Sequence, residues 1–469
     1  MARRSCTLSI IALTAPALLA GCATISPKPG FDTVSDLVAA RSPGRTVVWN
    51  QGTADDQAAA QRVRELLADE LTLDAAIQIA LLDNRALQAV YAQLGIAQAD
   101  VVQAGLLQNP ILSADVRFPT VQGAAIGAAA GLVQEFISML QIPLRKRVAA
   151  AAFDEATLTA SASIVDLVTE VKRAYYRLQG AEQLLELRRT VRDATGLSAD
   201  IARRQHDAGN VTNLDLANES ALAEQAGADL ARAESEVADD REELTALMGL
   251  WGGDAAGWRI ASHLPELPSD DVPPDALESL AVSQRLDLAA ARQRIRTVLL
   301  ARRLAGAFRW LPSAALGVAA EREVDNGVWS IGPSVELPIP IFDQGQATLA
   351  RNAAELGQRE NEHAALEVTV RSQVRRARTR METSRRLAEQ YRTVLLPLRA
   401  KVFQQTQLEY NAMLAGVFQL LLAKRDEIDA GASYIEALRD YWLARTELES
   451  AVGGELVGDA GQPQQHVGG

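Results

Sequence analysis

The chain has 469 residues and a mass of 50.3 kDa, a length that usually corresponds to two or three globular domains. Apolar residues make up 48% of it but aromatic residues only 4%. Such an excess of Ala, Leu and Val favours long helices that pack closely. The formal net charge of −12 argues against a nucleic-acid-binding protein, and two cysteines with four histidines exclude a zinc-cluster protein or a disulfide scaffold.

The N-terminus has the features of an export signal. Arg3 and Arg4 precede an apolar stretch at 8–19, which is shorter than the roughly 20 residues that span a bilayer. We therefore predict a signal peptide over 1–21. It ends in Leu-Ala-Gly-Cys22, which resembles a bacterial lipobox, in which the cysteine carries an acyl lipid as the first mature residue. The alternative is an ordinary signal peptide with an incidental cysteine.

Downstream of the signal the chain contains no long apolar segment. After Cys22 no run approaches 18 consecutive apolar residues, so we predict no transmembrane helix, and any membrane crossing would take the form of a closed β-barrel. The residue after the cysteine is Ala23. By resemblance to bacterial lipoproteins, retention in the inner membrane would require Asp at this position. We therefore expect sorting to the outer membrane, with 22–70 as an N-terminal periplasmic segment.

Proline spacing predicts long helices. No proline lies between Leu144 and Leu264, and Pro397 is the only one between Ile341 and Gln462. Because proline is excluded from helix interiors, each tract is predicted to be helical, with a kink or break at Pro397. Apolar residues from Ile164 to Leu185 follow alternating steps of four and three, which is typical of a coiled coil. A helix from 145 to 208 would be roughly 95 Å long, too long for a globular core.

Each long tract is predicted to fold back on itself. In the first, Gly209-Asn210-Val211-Thr212-Asn213 favours a left-handed helix end followed by a new N-cap at Thr212 or Asn213, and a return helix to about Gly249. The second repeats this plan, with a helix from about Gln346, a turn at 413–416 and a return helix to about Val452.

The two halves of the chain read as an internal duplication. Motifs match at an offset near 201 residues, including Ala104-Gly105 with Ala305-Gly306 and Pro110 with Pro312. Chance similarity between alanine-rich helices accounts for some matches but not for the ordered prolines. The predicted boundaries are a first repeat at 71–264, a linker at 265–275, a second repeat at 276–453 and a flexible tail at 454–469.

Short segments between the helices alternate like β-strands. Ile111 to Phe118 is predicted to pair with 132–142 across a Gly/Ala-rich loop, and 314–320 with 328–337 across an Asn326-Gly327 turn. The hairpins thus fall at about 110–142 and 312–340. Four strands cannot close a barrel, and membrane barrels need at least eight. If these strands enter lipid, the protein must be an oligomer.

A set of motifs, none diagnostic alone, follows the chain in a characteristic order. These are Leu71-Thr72-Leu73-Asp74-Ala75-Ala76 with Asn84, Ala104-Gly105-Leu106-Leu107-Gln108-Asn109-Pro110, Ala174-Tyr175-Tyr176-Arg177-Leu178, Gly209 with Thr212, Leu214 and Asp215, and Gly332-Pro333 with Pro340-Ile341-Phe342-Asp343-Gln344-Gly345. With them the chain resembles the TolC-type outer-membrane efflux proteins over nearly its whole mature length.

The resemblance implies a mainly α fold with a small β part. Long antiparallel coiled-coil helices and four strands per protomer would build a homotrimer with a 12-stranded β-barrel and an α-helical tunnel. The implied function is the passive outer-membrane channel of a tripartite efflux system, fed by a periplasmic adaptor protein and an inner-membrane pump that supplies the energy. No cofactor is implied beyond the lipid expected at Cys22.

Family members often have acidic residues just after the helix-tip turns, which narrow the pore. Asp215 occupies that position in the first repeat; in the second, Tyr410 is present, Met413 replaces the usual glycine, and Gln419 and Leu422 stand where carboxylates occur. The resemblance thus implies a constriction of Asp215, Gln419 and Tyr410. The alternative for Asp215 is a charge that only stabilises a helix N-terminus.

Two further groups of residues follow from the resemblance. The adaptor-contacting tips are Gly209, Asn210, Val211, Thr212, Met413, Ala415 and Gly416. Aromatic side chains expected at the membrane interface are Phe308, Trp310 and Phe342, for which packing at a strand end is the alternative. The acidic surplus either lines the conduit or forms a solvated helix face.

Catalytic motifs do not occur in the chain. It has no Walker loop, HExxH, G-x-S-x-G or dinucleotide fingerprint, and its scattered histidines oppose a metal site, so we predict neither an enzyme nor a resident metal. Cargo and pump class stay open. The alternative function is a lipid-anchored periplasmic coiled-coil scaffold whose short strands never enter the membrane.

Overall fold

A computed structural model describes residues 26–118, 120, 126–269, 276–322 and 328–456. The predicted signal peptide, Cys22 and the Asn326-Gly327 turn lie outside the described residues, as do most of the tail and of the linker. By internal contacts the chain divides into two compact units, and both draw on each half of the sequence. The described part of the first comprises 26–32, 92–157 and 289–363, and that of the second comprises 33–91, 158–288 and 364–456.

The predicted fold class is confirmed, because helices dominate and four strands form one small antiparallel sheet. The helices are α1 Phe31–Ala39, α2 Ala54–Ala68, α3 Leu73–Asp83, α4 Arg85–Gly105, α5 Ile137–Asp207, α6 Asn213–Met248, α7 Leu277–Gln284, α8 Leu286–Ala307, α9 Gln346–Gln390, α10 Leu396–Asn411 and α11 Val417–Val452; the strands are β1 Ile111–Arg117, β2 Gly127–Glu135, β3 Ala315–Arg322 and β4 Trp329–Glu336.

The long helix α5 begins earlier than the proline rule predicts. It starts at Ile137 and contains Pro143 in its second turn, where the missing N–H costs one helical hydrogen bond without ending the helix. Among the described residues, α5 alone is long and apolar enough to cross a membrane by length and composition, which counting consecutive apolar residues did not predict. Buried helices of soluble proteins pass the same test.

In the first unit the strands form a sheet in the order β1-β2-β3-β4. The central pair joins the two predicted repeats, with Leu132 opposite Val318. One predicted strand is displaced: β2 occupies 127–135 rather than 132–142, because the Gly/Ala-rich segment assigned to a loop forms the strand and the residues from Ile137 onward start α5. Small residues fit this strand because its neighbours approach closely. At Gly131, for example, a Cβ would lie only 2.8 Å from Ser113 Oγ.

In the second unit four long helices lie in a row. α5 contacts α6 on one side, where Arg177 pairs with Glu243 at 3.0 Å. On its other side α5 contacts α11, where the rings of Tyr176 and Trp442 stack with centroids 5.2 Å apart. The next helix in the row is α9, continued by α10, which an Arg380–Glu447 pair at 2.9 Å joins to α11.

The segment 258–268, here called the strap, crosses these helices in the order of the row. Its backbone carbonyls accept hydrogen bonds from one side chain of each helix in turn. The donors and acceptors are Arg241 of α6 to Trp258, Gln179 of α5 to His263, Trp442 of α11 to Pro265 and Arg385 of α9 to Pro268. The order α6, α5, α11, α9 therefore has α6 and α9 at its two edges.

The predicted interruption at Pro397 takes the form of a π-helical turn. Residues Tyr391–Leu395 form this turn between α9 and α10, and Pro397 lies at the start of α10. The wider turn accommodates the proline ring and its missing donor while the helix axis continues.

A buried ionic cluster fixes the end of α11 against the long helix. Lys172 of α5 lies 2.9 Å from both Glu449 and Glu455, and its side chain is only 11% exposed. Burial disfavours the charged form, but the two carboxylates outweigh it and raise the pKa of Lys172. The ammonium group therefore stays charged at neutral pH and holds the last turn of α11 in place.

Candidate functional site

The four-stranded sheet has one continuous apolar face. Because side chains alternate along a strand, the register brings apolar residues of all four strands to the same side. Leu112 and Ile331 are 75% and 73% exposed, so the described residues of one chain do not cover the face. Its apolar members within the strands are Leu112, Ala114, Val116, Ala128, Ala130, Leu132, Leu316, Val318, Ala320, Ile331, Pro333 and Val335, and the same register puts Gln134 at one end of the face and Arg322 with Trp329 at the other.

The opposite face of the sheet is polar or small. Arg117 donates a 2.9 Å hydrogen bond to Asp115 on its own strand and lies 3.9 Å from Glu321 of β3. Glycine is required at Gly317, where a Cβ would come within 2.5 Å of the Leu132 carbonyl oxygen. The sheet thus presents mainly apolar side chains on one side and mainly charged or small ones on the other, where the paired Ile111 and Val133 at one end are the exception.

Aromatic side chains lie near both ends of the strands. Of the predicted interface residues, Trp310 and Phe342 are 56% and 91% exposed, whereas Phe308 is half-buried. Sequence reasoning missed a second group at the opposite end, where Phe118 directly follows β1 and Trp329 begins β4; both are exposed. Their position at strand ends was the signal available in the sequence.

The first helix tip joins α5 to α6 by a tight turn. The N–H of Gly209 donates to the His206 carbonyl and the N–H of Asn210 to the Gln205 carbonyl, with φ of +77° at Gly209. This bonding pattern is a Schellman motif, in which glycine at the left-handed position ends the helix without strain.

A capping box starts α6 at this tip. Thr212 is the N-cap, and its hydroxyl lies 2.8 Å from a carboxylate oxygen of Asp215, which also accepts the backbone N–H of Thr212 at 3.1 Å. These hydrogen bonds lower the pKa of Asp215. The carboxylate is therefore a helix-capping group and remains ionised at neutral pH.

The second tip has the same backbone with different residues. The N–H of Met413 donates to the Tyr410 carbonyl and that of Leu414 to the Glu409 carbonyl, so Met413 takes the place of Gly209. Its φ is +59°, a conformation that costs a residue with a Cβ roughly 1–2 kcal/mol. Met413 is also 94% exposed.

The N-cap of α11 is Gly416, three residues after Met413 as Thr212 is three after Gly209. The side chain of Gln419 accepts the backbone N–H of Gly416 at 3.1 Å, the role of Asp215 in the first tip. The pairs 209/413, 212/416 and 215/419 thus keep a constant offset of 204 residues, and Val211 and Ala415 precede the two N-caps. Asp215 and Gln419 lie in the first turns of α6 and α11, and Tyr410 lies in the last turn of α10. Their role in a pore stays a prediction.

One family of known proteins matches the helical part of the chain. The family model described as "Outer membrane efflux protein" matches residues 76–250. This span contains most of α3, the hairpin β1–β2, the long helix α5 and the whole first tip.

Relatives of known identity extend the match to most of the chain. The cobalt-zinc-cadmium resistance protein CzcC of Cupriavidus metallidurans is 24% identical over 387 residues, 82% of this chain and 91% of that protein. The toluene efflux pump outer membrane protein TtgC of Pseudomonas putida is 24% identical over 500 residues, 98% of each chain. The crystal structure of CusC has the same fold, with a TM-score of 0.70 and 17% identity over 82% of this chain and 93% of that one.

These matches confirm the resemblance inferred from the sequence and the location in the outer membrane. Together with the paired helical hairpins and the small sheet, they lead to one conclusion. Residues 76–250 match the outer membrane efflux protein family, and most of the chain is similar to outer-membrane proteins of efflux systems.

Proposed function

We propose that this protein is the passive outer-membrane conduit of a tripartite efflux system and acts as a homotrimer. The observation that carries the proposal is the sheet with an exposed apolar face and a polar one. Such alternation suits a membrane barrel, with lipid on one side and a water-filled lumen on the other. One sheet leaves its edge strands β1 and β4 open, and three copies would close them into a 12-stranded barrel.

The helical hairpins would continue the pore across the periplasm. Their tips, with Met413 and Leu414 exposed by 94% and 80%, offer apolar side chains to a periplasmic adaptor protein. The adaptor would connect the conduit to an inner-membrane pump that drives transport. A lipid on Cys22 would tether the protein to the membrane that holds its barrel.

The cargo belongs to one of two chemical classes named in the relatives. CzcC is a cobalt-zinc-cadmium resistance protein and TtgC belongs to a toluene efflux pump. The scaffold alternative is the less favoured, since a periplasmic scaffold gains nothing from an uncovered apolar sheet face.

We further propose that Asp215, Gln419 and Tyr410 narrow the periplasmic end of the pore. Asp215 and Gln419 hold equivalent positions in the first turn of their helices. In a trimer they would form one ring of three carboxylates beside one ring of three amides, with Tyr410 at the same tips.

The test is the mass of the detergent-extracted protein, followed by its single-channel conductance in a planar bilayer. We expect three copies and a cation-preferring channel. Asp215→Asn should lower the cation preference, whereas Gln419→Glu, which preserves the capping geometry, should raise it. A monomer without conductance would refute the conduit, and unchanged selectivity in both variants would remove these residues from the constriction.

A further inference from the structure

The charges of this acidic protein are strongly separated between two helices. α6 contains ten Asp or Glu residues and two arginines, although it is only 36 residues long. The segment 371–401, at the end of α9 and the start of α10, contains ten Arg or Lys residues and two Glu. Six of these ten cations, Arg380 and Arg399 among them, pair with carboxylates of the described residues. The remaining four include Arg386 and Lys401, and these have no carboxylate partner among the described residues.

These two segments are the opposite edges of the helical row. The strap crosses α6, α5, α11 and α9 in that order, so α6 is the acidic edge and α9 with α10 the basic edge. Each edge has one long neighbour within the row. Among the described residues no other long helix of the row covers its outer side, although Glu278 of α7 contacts Arg375 of the basic edge.

The outer side of α6 has the pattern of a helix-packing seam. Exposed residues recur at steps of four and three from Ala217 to Glu242. Six of these eight positions hold Ala or Ser, and the other two are Glu224 and Glu242. Small residues at this spacing allow another helix to approach closely, and acidic ones select a basic partner.

The basic edge has a matching pattern. Exposed residues recur at steps of three and four from Ala365 to Arg386, and beyond the π-helical turn Val394, Leu398 and Lys401 continue the exposed series. Four of the seven positions up to Arg386 are small or β-branched, and the other three are Arg375, Glu382 and Arg386. Arg375 pairs with Glu278 and Glu382 with Arg378, so Arg386 is the charge of this series that is left for a partner. Both edges thus combine a close-packing surface with charges of one predominant sign.

Contacts across the row establish which residues of different helices lie at the same height along the helix axes, here called the same level. The Arg177–Glu243 pair and the Tyr176–Trp442 stack bring Glu242 to the level of residue 440 on α11. Because α9 and α11 are antiparallel, the Arg380–Glu447 pair then brings residue 387 of α9 to the level of residue 440 of α11. Glu242 therefore lies within about one residue of the level of Arg386.

Nearer the tips, a second set of contacts brings Glu224 of α6 to the level of Lys401 of α10. The contacts used are Ser198 with Glu219, Leu187 with Gly431, and Arg399 with Asp426. Two acidic positions on one edge thus match two basic positions on the other.

These four side chains are available for such pairing. Within the described residues, Glu224, Glu242 and Lys401 form no ion pair inside the chain, and Arg386 makes only a 3.5 Å contact to the Thr383 hydroxyl. Rotation of one copy about an axis parallel to the helices keeps levels unchanged, so each acidic position would meet its basic counterpart on the next copy.

We propose that the α6 edge of one copy packs on the α9–α10 edge of a second copy, with Glu242 facing Arg386 and Glu224 facing Lys401. This inference rests on the proposed trimer and defines its helical interface. Because the acidic edge repels a second acidic edge, the contact is head-to-tail rather than two-fold, and such contacts close into a ring. Opposite charges at fixed levels would also set the register of the ring.

Charge reversal tests the pairing. Glu242→Lys and Arg386→Glu should each lower the melting temperature of the purified trimer at low salt by at least about 2 °C. The double variant should return it to the wild-type value. The control is Asp239→Lys, which reverses the charge of another exposed α6 residue outside the eight positions above and should have no effect. If both single variants lower the melting temperature and the double variant does not restore it, the pairing is overturned.

Cross-linking tests the register independently of stability. Ala238 and Gln390 are both exposed and lie at the same level by the contacts above. The Ala238→Cys/Gln390→Cys protein should form a covalent trimer on oxidation, while Ala221→Cys/Gln390→Cys, about 25 Å out of register by helix rise, should not. A wild-type protein that is trimeric and conducting, with no cross-link in the first variant, would refute this interface while leaving the conduit intact.

Discussion

Met413 and Gly209 occupy the same backbone position in the two helix tips. Both have positive φ and end a helix with the same pair of hydrogen bonds. Glycine adopts this conformation without strain, whereas methionine does not. The exposed side chain of Met413 therefore has a conformational cost, which fits a residue whose side chain is needed at the surface of the tip.

Met413→Gly should raise the free energy of unfolding of the second tip by up to about 1 kcal/mol, because the left-handed strain is removed. The measurement is amide hydrogen exchange of residues 409–416 in the isolated channel. The matched control is Leu414→Gly, which also deletes an exposed apolar side chain but at a residue whose φ is not positive. Equal protection in wild type and Met413→Gly would show that the turn is not strained.

Asp240 is a second residue whose environment sets its chemistry. Burial and the nearby Glu236 raise the pKa of this carboxyl to about 6, although Arg177 opposes the shift. The folded chain therefore binds this proton more tightly than the unfolded chain. Stability from this group falls as the pH rises from about 4 to about 6 and stays lower above that range.

Asp240→Asn should remove this pH dependence and raise the melting temperature more at pH 7.5 than at pH 4.5. Thermal unfolding at the two pH values measures the difference. Glu234→Gln is the control, since it removes an exposed carboxylate from the same helix. If both variants shift the curve equally at the two pH values, net charge rather than the buried carboxyl is responsible.

At the scale of elements, the sheet depends on a strict difference between its faces. Val318 lies on the apolar face and is 53% exposed, while the next residue, Ala319, lies on the polar face. In a membrane barrel a lysine at the lipid face costs roughly 2–4 kcal/mol near the midplane, and one in the lumen costs little.

Val318→Lys should therefore reduce the amount of assembled protein in the outer-membrane fraction, whereas Ala319→Lys should not. Cell fractionation followed by gel analysis of the unheated trimer measures both. The scaffold alternative makes the opposite prediction, because a lysine on a solvent-exposed sheet is harmless. Normal assembly of Val318→Lys would thus support that alternative.

The helix boundaries show where local rules are sufficient. The tip at 209–213 was predicted from its glycine and asparagine and from an N-cap at Thr212 or Asn213, and the structure selects Thr212. Local residues were enough here because the helix end and the N-cap depend on hydrogen bonds within a few residues. The start of α5 was predicted too late in the chain, since Pro143 is accommodated inside the helix. The β2 strand was also misplaced, because its Gly/Ala-rich sequence forms a strand only beside β1 and β3.

At the scale of the whole molecule, charge and helix order have to be considered together. From the sequence, the acidic surplus was predicted either to line the pore or to form a solvated face of the helices. The order of the row instead assigns the acidic α6 and the basic 371–401 segment to opposite edges. The same residues thus acquire a different proposed role once their neighbours are known.

The sequence by itself determined the family resemblance, the mainly α fold, the paired helical hairpins and the two tips, because periodicity, proline exclusion and capping act over a few residues. Only the tertiary structure decided the pairing of β2 with β3, the exposed apolar sheet face, the left-handed Met413 and the order of the helical row. The sheet and the row depend on contacts between segments far apart in the chain, which no local pattern encodes. The conformation of Met413 is local, but methionine, unlike glycine, does not indicate a positive φ.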